Sequence, residues 1–406
     1  MKNLSTAENP IVVPYFKPLT VEREKYYELL DEVFDSAIFT NNGPKALSLE
    51  KEIARIHEFK YCAVVTNATI GLQILYKTLN LKKRVITTPF SFVATTSTLV
   101  WESIQPKFVD IEERNLTIDS KKIEKSIDNS TEAILGVNVF GNSCDYDAIS
   151  YICKKNDIFE IYDNAHSFGI VDSKGFDRSS VQVLSFHSTK VFSTIEGGAI
   201  LTNNRALYEK IVQVRNFGFA GMDHVTEVGT NGKMDEFRAS FGLHQLLFFY
   251  KVKERLREIN RYYTSEISKI PCIEFVGNSN YNSNHHYYPI RINEKKNGVN
   301  RDLIWAYLWS QGIQTRRYFY PLISKFSPYR EFFEETPIAA QASEEILCLP
   351  CYFDLSDDSA RKVVAGIQKA ISIGATAIEE AVKSKENEDF FRPVKIAFQE
   401  RSKNGY

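Results

Sequence analysis

A single lysine stands between a strand-like run and a pair of glycines in the stretch SFHSTKVFSTIEGG, residues 185–198. Glycines such as Gly197 and Gly198 let the backbone approach a ligand closely. In a crevice, burial or a neighbouring cation lowers the pKa of an amine, and a neutral amine can attack an aldehyde. Lys190 is therefore a candidate nucleophile; the alternative for a lone lysine is a solvated surface side chain.

A carboxylate and an imidazole follow another strand-like run in the stretch FEIYDNAH. Asp163 ends that run and His166 comes three residues later. A buried carboxylate at the end of a strand needs a cationic partner to stay ionised, and a protonated ring nitrogen would serve. The alternative is a turn aspartate beside a hydrogen-bonded core histidine.

Two further stretches stand where strands give way to helices. In TNAT, residues 66–69, the free N–H groups of a helix start and the Thr69 hydroxyl could bind an anion, or Asn67 or Thr69 could simply cap the helix. Ser185 could donate to the same anion. In PFSFVATT, Phe92 could offer a flat apolar surface to a ring, or belong to the core.

These four stretches suit one cofactor in combination. A phosphate site, a platform for a ring, a carboxylate for a pyridinium and an amine for an aldehyde together describe pyridoxal 5′-phosphate. The cofactor acts as an electron sink, which requires its ring nitrogen to stay protonated. The convergence of the stretches, rather than any one of them, predicts this cofactor.

The elements that must position these residues alternate between strand and helix from residue 48 to residue 215. Helical patterns cover residues 70–79, 145–155 and 205–215. The strand-like runs are YCAVVTN, RVITTPF, PKFVDI, EAILGVNVF, IFEIYDN and VQVLSFH. This alternation predicts an α/β fold with a mostly parallel, doubly wound sheet, which binds its ligand at the carboxyl ends of the strands.

A smaller α+β region is predicted after a long helical stretch at residues 234–269. It contains the strand-like runs HHYYPIRI, IQTRRYFY and ILCLPCYF and helices at residues 301–311 and 356–373. We therefore predict a large cofactor-binding domain at residues 1–250, a small domain at 251–378 and a charged tail at 379–406.

The composition of the chain argues against several classes of partner. Its 406 residues include 50 basic and 51 acidic side chains, for a net charge of −1, which does not favour nucleic acid or an anionic membrane as a partner. The sequence shows neither a signal peptide nor a membrane-spanning run, so a cytoplasmic location is expected. Six cysteines do not form a disulfide framework, and CLPC, residues 348–351, is predicted to be strand rather than a metal site; no metal is expected.

The motifs TNAT, PFSFVATT, DNAHSFG, SFHSTKVFSTIEGGAI and GTNGKMDEFRASFGLHQL, in this order, resemble the fold type I aminotransferases of the DegT/DnrJ/EryC/StrS family. The resemblance covers roughly residues 10–375 and implies an aspartate-aminotransferase-like fold. It implies that Lys190 bonds covalently to the cofactor, that Asp163 pairs with the pyridine nitrogen, and that Phe92 and His166 lie against the ring. It further implies a phosphate site made from Ala68, Thr69, Ser185 and, from a second subunit, Asn231. The active site would then be shared within a homodimer.

The same resemblance implies transfer of an amino group from L-glutamate to a nucleotide-linked keto-sugar, with Lys190 as anchor and general acid/base. The chain is most similar to enzymes that aminate C4 of dTDP-4-keto-6-deoxyglucose for surface polysaccharides such as O-antigen. Amination at C3 and a GDP or UDP carrier remain alternatives. In GIQTRRYFYPLIS, cations and rings could bind the sugar nucleotide, although alternation along a strand would allow only some to reach it. These candidate binders are Arg316, Arg317, Tyr318 and Tyr320.

Three competing functions are less consistent with the sequence. A non-catalytic cofactor-binding regulator would have an incomplete set of these residues or an added DNA-binding module, and neither is visible. A nicotinamide-dependent oxidoreductase would carry G-x-G-x-x-G at the first strand-to-helix turn, where TNAT stands. A dehydratase of the same family would have histidine in place of Lys190.

Overall fold

A computed structural model describes residues 12–171, 180–277, 283–385 and 394 of the chain. The strands are β1 (Tyr61–Val65), β2 (Arg84–Thr87), β3 (Gln105–Phe108), β4 (Thr131–Val137), β5 (Phe159–Asp163), β6 (Val181–Ser185), β7 (Gly198–Thr202), β8 (Phe219–Gly221), β9 (His224–Val225), β10 (Ile273–Phe275), β11 (Tyr288–Ile292) and β12 (Ile346–Leu349). The helices are α1 (Arg23–Ser36), α2 (Pro44–Ile56), α3 (Ala68–Thr78), α4 (Ala94–Trp101), α5 (Ser120–Ser126), α6 (Tyr146–Asn156), α7 (Arg205–Arg215), α8 (Glu236–Ile267), α9 (Glu294–Asn297), α10 (Arg301–Ser310), α11 (Pro337–Glu345) and α12 (Asp357–Lys383).

Strands β1 to β7 form one sheet, in the order β1-β7-β6-β5-β4-β2-β3. Neighbouring strands are parallel except for β7, which runs antiparallel to both β1 and β6. The carboxyl ends of the parallel strands therefore meet at one edge, and the amino end of β7 joins them there because Gly198 pairs with Ser185. The predicted α/β fold with a mostly parallel sheet is confirmed.

Helices cover both faces of this sheet, which explains why its strands are apolar along nearly their whole length. Residues of β1 alternate between two core clusters: Ala63 packs in one with Leu72 of α3, and Val64 packs in the other with Leu49 of α2. All five residues of β6 and of β7 are buried. The sheet is thus held rigidly at the edge where the candidate residues lie.

Side-chain caps fix where the surrounding helices begin. The Asn67 side chain accepts a hydrogen bond from the Ile70 N–H at 2.8 Å, at the start of α3. Asp145, Asn204 and Asp235 cap α6, α7 and α8 in the same way. Each such cap stabilises a helix by about 1 kcal/mol. The capping role considered for Asn67 is therefore real, and it fixes the position of the first residues of α3.

A second, antiparallel sheet of three strands, β10-β11-β12, follows the long helix α8. Helix α8 packs against α1 and α2 and also against β10 and α12, so it connects the two sheets. The proposed boundary at residue 250 falls inside this continuous helix. The division into domains at 1–250 and 251–378 stays a prediction.

Two expectations for the C-terminal half need correction. The run IQTRRYFY is not a strand: it forms isolated bridges at Ile313 and Arg316 and then turns at Tyr318 and Phe319, while Arg317 pairs with Asp302. Helix α12 extends past residue 373 to Lys383, with a kink at Gly374, whose φ of 77° suits glycine. It thus includes the first residues of the predicted tail; residues 386–393 and 395–406 lie outside the described part of the chain.

All six cysteines are buried and unpaired. Within residues 12–171, 180–277 and 283–385, no helix is long and apolar enough to cross a membrane. In the same ranges, no group of three or more histidine, cysteine, aspartate or glutamate side chains is placed to hold a metal ion.

Candidate active site

A cavity of about 520 Å³ lies at the carboxyl ends of the parallel strands. It is bounded on its other side by residues that lead into β11 and by the segment after α10. Nine of the twelve residues singled out from the sequence line it: Ala68, Thr69, Phe92, Asp163, His166, Ser185, Lys190, Arg316 and Tyr318. The sheet therefore brings together residues that are up to 250 positions apart in the chain.

Lys190 lies in a turn after β6, in which its N–H donates to the His187 carbonyl at 2.9 Å. Its Nζ donates to the Tyr287 hydroxyl at 3.3 Å. Burial lowers the pKa of the Lys190 amine to about 8, and the Arg316 cation acts in the same direction, whereas the Asp163 carboxylate acts against it. A large share of this amine is therefore neutral near pH 8, as a nucleophile or general base requires.

Asp163, the last residue of β5, is 8% exposed at the bottom of the cavity. Its carboxylate accepts hydrogen bonds from the Thr95 hydroxyl at 2.7 Å and from the Ala165 N–H at 3.1 Å. Because Thr95 donates to Asp163, Ser91, whose Oγ lies 2.7 Å from the Thr95 hydroxyl, must donate to Thr95. Burial raises the pKa of the carboxyl above its usual range, and these hydrogen bonds oppose the rise. The Asp163 carboxylate therefore lies in the cavity wall, where it would favour a cationic group of a ligand.

His166 lies beside Asp163 in the cavity wall. The Phe140 N–H donates to His166 Nδ1 at 3.0 Å, so the neutral ring carries its proton on Nε2. Burial lowers the pKa of the imidazole well below its usual range, and Lys190 and His286 add to this effect. His166 is therefore a neutral hydrogen-bond donor.

The first residues of α3 form another part of the wall. The N–H groups of Ala68 and Thr69 belong to the first turn, where they have no carbonyl partner within the helix. A Cβ atom on Gly198 would stand only 2.7 Å from the Ala68 nitrogen, so glycine is required for the close approach of β7 to this helix start. Ser185 is the last residue of β6 and lines the cavity at the same edge of the sheet. This corner can bind an anion through N–H and hydroxyl groups.

These features fit pyridoxal 5′-phosphate. Asp163 suits a protonated ring nitrogen, and the corner at Ala68, Thr69 and Ser185 suits a phosphate. Lys190 supplies an amine, and Phe92, which lines the cavity yet is 57% exposed, presents a partly uncovered aromatic surface. An exposed phenylalanine in a cavity wall is what a flat ligand requires.

Three predicted residues do not line the cavity, and their binding roles stay predictions. The Arg317 guanidinium stacks 3.9 Å above the Trp305 ring and pairs with Asp302 at 3.2 Å, and Tyr320 packs against the same guanidinium at 4.7 Å. Neither Arg317 nor Tyr320 lines the cavity, whereas Arg316, Tyr318 and Phe319 do. Asn231 is exposed, bridges to Asn216 and is also absent from the wall of its own cavity.

Sequence reasoning missed several residues of the cavity wall. Thr95 lies within PFSFVATT, and His286 and Tyr287 lie within HHYYPIRI, for which the pattern predicts only a strand. The His286 Nε2 atom is 2.8 Å from the Thr189 carbonyl oxygen, next to Lys190. A run of four polar aromatic residues, His285 to Tyr288, leads into a buried strand and is the available signal, but the sequence does not say which sheet edge it meets.

Comparison with known proteins gives the family. Residues 20–368 match the DegT/DnrJ/EryC1/StrS aminotransferase family. The chain belongs to this family. A dTDP-4-amino-4,6-dideoxy-D-glucose transaminase of Shigella dysenteriae is 38% identical over 89% of this chain and 99% of its own length. A transaminase of the same description from Escherichia coli is 34% identical over 87% of this chain and 98% of its own length.

Solved structures of the family agree with the fold. DesI, crystallised in the presence of its TDP-sugar product, has a TM-score of 0.85 and 28% identity over 92% of this chain and 95% of its own. Helicobacter pylori PseC, an aminotransferase of pseudaminic acid biosynthesis, has a TM-score of 0.82 and 26% identity over 89% and 99%. As a member of the DegT/DnrJ/EryC1/StrS family, the chain is a nucleotide-sugar aminotransferase, and its cofactor is pyridoxal 5′-phosphate.

Proposed function

We propose that this enzyme transfers an amino group from L-glutamate to the C4 ketone of dTDP-4-keto-6-deoxy-D-glucose, giving dTDP-4-amino-4,6-dideoxy-D-glucose for O-antigen or another surface polysaccharide. The proposal is supported above all by the cavity, whose wall contains both the Lys190 amine, with its lowered pKa, and the buried Asp163 carboxylate. The choice of sugar is supported by the two relatives at 38% and 34% identity, which are named for this product. A cytoplasmic location remains a prediction from the sequence.

When bound, the cofactor supplies an electron sink that makes a C–H bond next to the transferred nitrogen acidic. Lys190 Nζ removes the proton from the α-carbon of glutamate in the first half-reaction and delivers a proton to C4 of the sugar in the second. A pKa of about 8 lets one amine accept and release that proton at a working pH near neutrality.

The remaining residues hold the reactants in place. Asp163 keeps a proton on the ring nitrogen, and Thr95 orients the Asp163 carboxylate through its 2.7 Å hydrogen bond. His166 donates through Nε2, and Phe92 packs against the ring. Ala68, Thr69 and Ser185 bind the phosphate.

Arg316 and Tyr318 form the substrate side of the cavity. The Arg316 guanidinium lies 5.1 Å from the centre of the Tyr318 ring and remains exposed, so its five N–H donors are available to a carboxylate or a diphosphate. Arg317, the next residue, is held by Asp302 and Trp305. Substitutions of Arg316 and Arg317 can therefore distinguish an effect on substrate binding from an effect on the stability of the fold.

We expect Arg316→Leu to raise KM for one of the two substrates by about tenfold, since a charge-assisted hydrogen bond is lost. Arg317→Leu should leave both KM values within about twofold and lower the free energy of unfolding by about 1–2 kcal/mol, because it removes a stacked, paired cation. Steady-state kinetics and urea unfolding measure the two effects. If Arg317→Leu raised KM as much as Arg316→Leu does, Arg317 would also be a substrate-binding residue.

We further propose a homodimer in which Asn231 of each subunit reaches the phosphate in the other. Asn231 is exposed and lies outside the wall of its own cavity, which supports a role across an interface. The adjoining hairpin β8–β9 is exposed throughout, with Met222 at 95%, and such an exposed apolar side chain is common at an interface.

Mixing two inactive variants tests the shared site. A hybrid of Lys190→Ala and Asn231→Ala subunits has one site with both defects and one with neither. After random reassociation, half of the dimers are hybrids, so activity should rise to about a quarter of the wild-type value per subunit. If Asn231 served its own subunit, mixing would restore nothing, and a stable, active monomer would exclude the dimer altogether.

Acceptor choice can be tested by product analysis. The enzyme is given ¹⁵N-glutamate and, in separate reactions, dTDP-4-keto-6-deoxyglucose, the corresponding 3-keto sugar, and 4-keto-6-deoxy sugars on GDP and UDP. We expect the highest kcat/KM for the first, with ¹⁵N bonded to C4 by NMR. A preference for another acceptor would keep the aminotransferase and replace the proposed sugar.

A further inference from the structure

Tyr287 immediately precedes strand β11 and brings a phenol from the second sheet into the cavity. Its side chain is only 8% exposed. The ring stands against His166, with 4.2 Å between ring centroids, and its hydroxyl accepts a hydrogen bond from Lys190 Nζ at 3.3 Å. One side chain therefore contacts both the reacting amine and the imidazole beside it.

We propose that Tyr287 is a positioning residue for the reaction, whose hydroxyl holds the Lys190 amine in place whenever that amine is free. The proposal rests on the function proposed above, in which the Lys190 amine is released from its covalent bond to the cofactor and then carries a proton. The side chain of a free lysine has four rotatable bonds. A hydrogen bond that fixes its amine in advance lowers the cost in conformational entropy of bringing the amine into position for proton transfer.

The chemistry of a buried phenol suits this role. Burial raises the pKa of Tyr287 well above its usual range, so the hydroxyl keeps its proton throughout. It can accept a hydrogen bond from the ammonium form of Lys190 and donate one to the amine form. Tyr287 therefore serves both protonation states of Lys190 without exchanging a proton itself.

The contact with the ammonium form is the stronger of the two, because a hydrogen bond to a charged group is worth more than a neutral one. The Nζ atom also lies 5.9 Å from the centre of the Tyr287 ring, at the outer limit of a cation–π contact. Removing the hydroxyl should thus disfavour the ammonium. The other titratable and charged groups around Lys190 stay in place in such a variant; they are Asp163, His166, His286 and Arg316.

The next residue is a matched control. Tyr288 lies in β11, and its hydroxyl is 3.0 Å from the Thr264 hydroxyl on α8. Its ring packs against Tyr263 and Phe275, away from the cavity. Tyr287→Phe and Tyr288→Phe each delete one buried hydroxyl from adjacent positions, and only the first touches Lys190.

The test measures Lys190 directly in the full-length chain freed of cofactor. The rate at which a small amine-reactive reagent labels Lys190 is followed by peptide mass spectrometry across a pH series. We expect the apparent pKa of Lys190 to fall by about one pH unit in Tyr287→Phe, because the ammonium has lost an acceptor, and to stay unchanged in Tyr288→Phe. A Tyr287→Phe profile that coincides with the wild type, or an equal shift in both variants, would overturn the proposal.

Kinetics of the cofactor-loaded enzyme provide the second measurement. Tyr287→Phe should lower kcat by about tenfold with KM for both substrates within about twofold, and Tyr288→Phe should leave kcat unaltered. A KM effect without a kcat effect would make Tyr287 a substrate-binding residue and contradict the proposal. If the labelling shift occurs but the wild type aminates no sugar, the proposed function fails while the contact between Tyr287 and Lys190 stands.

Discussion

The Lys190→Ala variant is expected to lose amino-transfer activity by about 10⁴-fold or more, the largest effect of any single change in this enzyme. Two functions disappear with this side chain: the covalent anchor and the proton carrier. The rest of the cavity, including Asp163 and the helix start at Ala68, remains to bind the cofactor. Binding should therefore persist in part while turnover does not.

Single-turnover absorbance with glutamate, recorded after reloading with cofactor, measures this loss. Lys369→Ala is the matched control, since it removes an exposed lysine on α12 far from the cavity wall, and it should retain full activity. Full turnover by Lys190→Ala would remove the amine from the mechanism.

The second large effect is expected for Asp163→Asn, which should lower kcat by about 10²-fold or more. The amide has nearly the same shape and can still accept the hydrogen bond from Thr95, but it has no charge with which to hold a proton on the ring nitrogen. The cofactor then withdraws electrons less strongly. Cofactor affinity should fall as well, because an ion pair in a buried site is lost.

Glu160→Gln is the control for Asp163→Asn. Glu160 is a buried carboxylate on the same strand, β5, and it accepts hydrogen bonds from Ser150 and Tyr162 at 2.7 Å each, outside the cavity. Its variant should keep kcat and cofactor content, whatever its thermal stability. An Asp163→Asn enzyme within about threefold of wild-type kcat would contradict the role given to that carboxylate.

The part of the site that depends on the central sheet could be predicted from sequence. In a parallel sheet covered by helices, strands are read from apolar runs, and their carboxyl ends must meet at one edge. That rule is enough to bring Ala68, Phe92, Asp163 and Lys190 together without any knowledge of distances. The family resemblance then gave the chemistry that these residues could perform.

The part contributed by the second sheet could not be predicted in the same way. Tyr287 reaches Lys190 because the residues just before β11 lie beside the turn after β6, where His286 also meets the Thr189 carbonyl. That contact joins segments about 100 positions apart in the chain. Arg316 and Arg317 are adjacent and chemically alike, yet only Arg316 lines the cavity, and Arg317 pairs with Asp302. A regular strand was expected there, and the turn after Arg316 depends on partners that are distant in sequence.

Amino transfer through Lys190 can be followed in the absorbance spectrum of the purified enzyme with pyridoxal 5′-phosphate, recorded before and after L-glutamate and again after dTDP-4-keto-6-deoxyglucose. We predict a visible band from the cofactor bound to Lys190, its replacement by the amine-form band with glutamate, and its return with the sugar. An enzyme that forms no visible band with the cofactor, or whose band is unchanged by glutamate, would contradict the role of Lys190 in amino transfer.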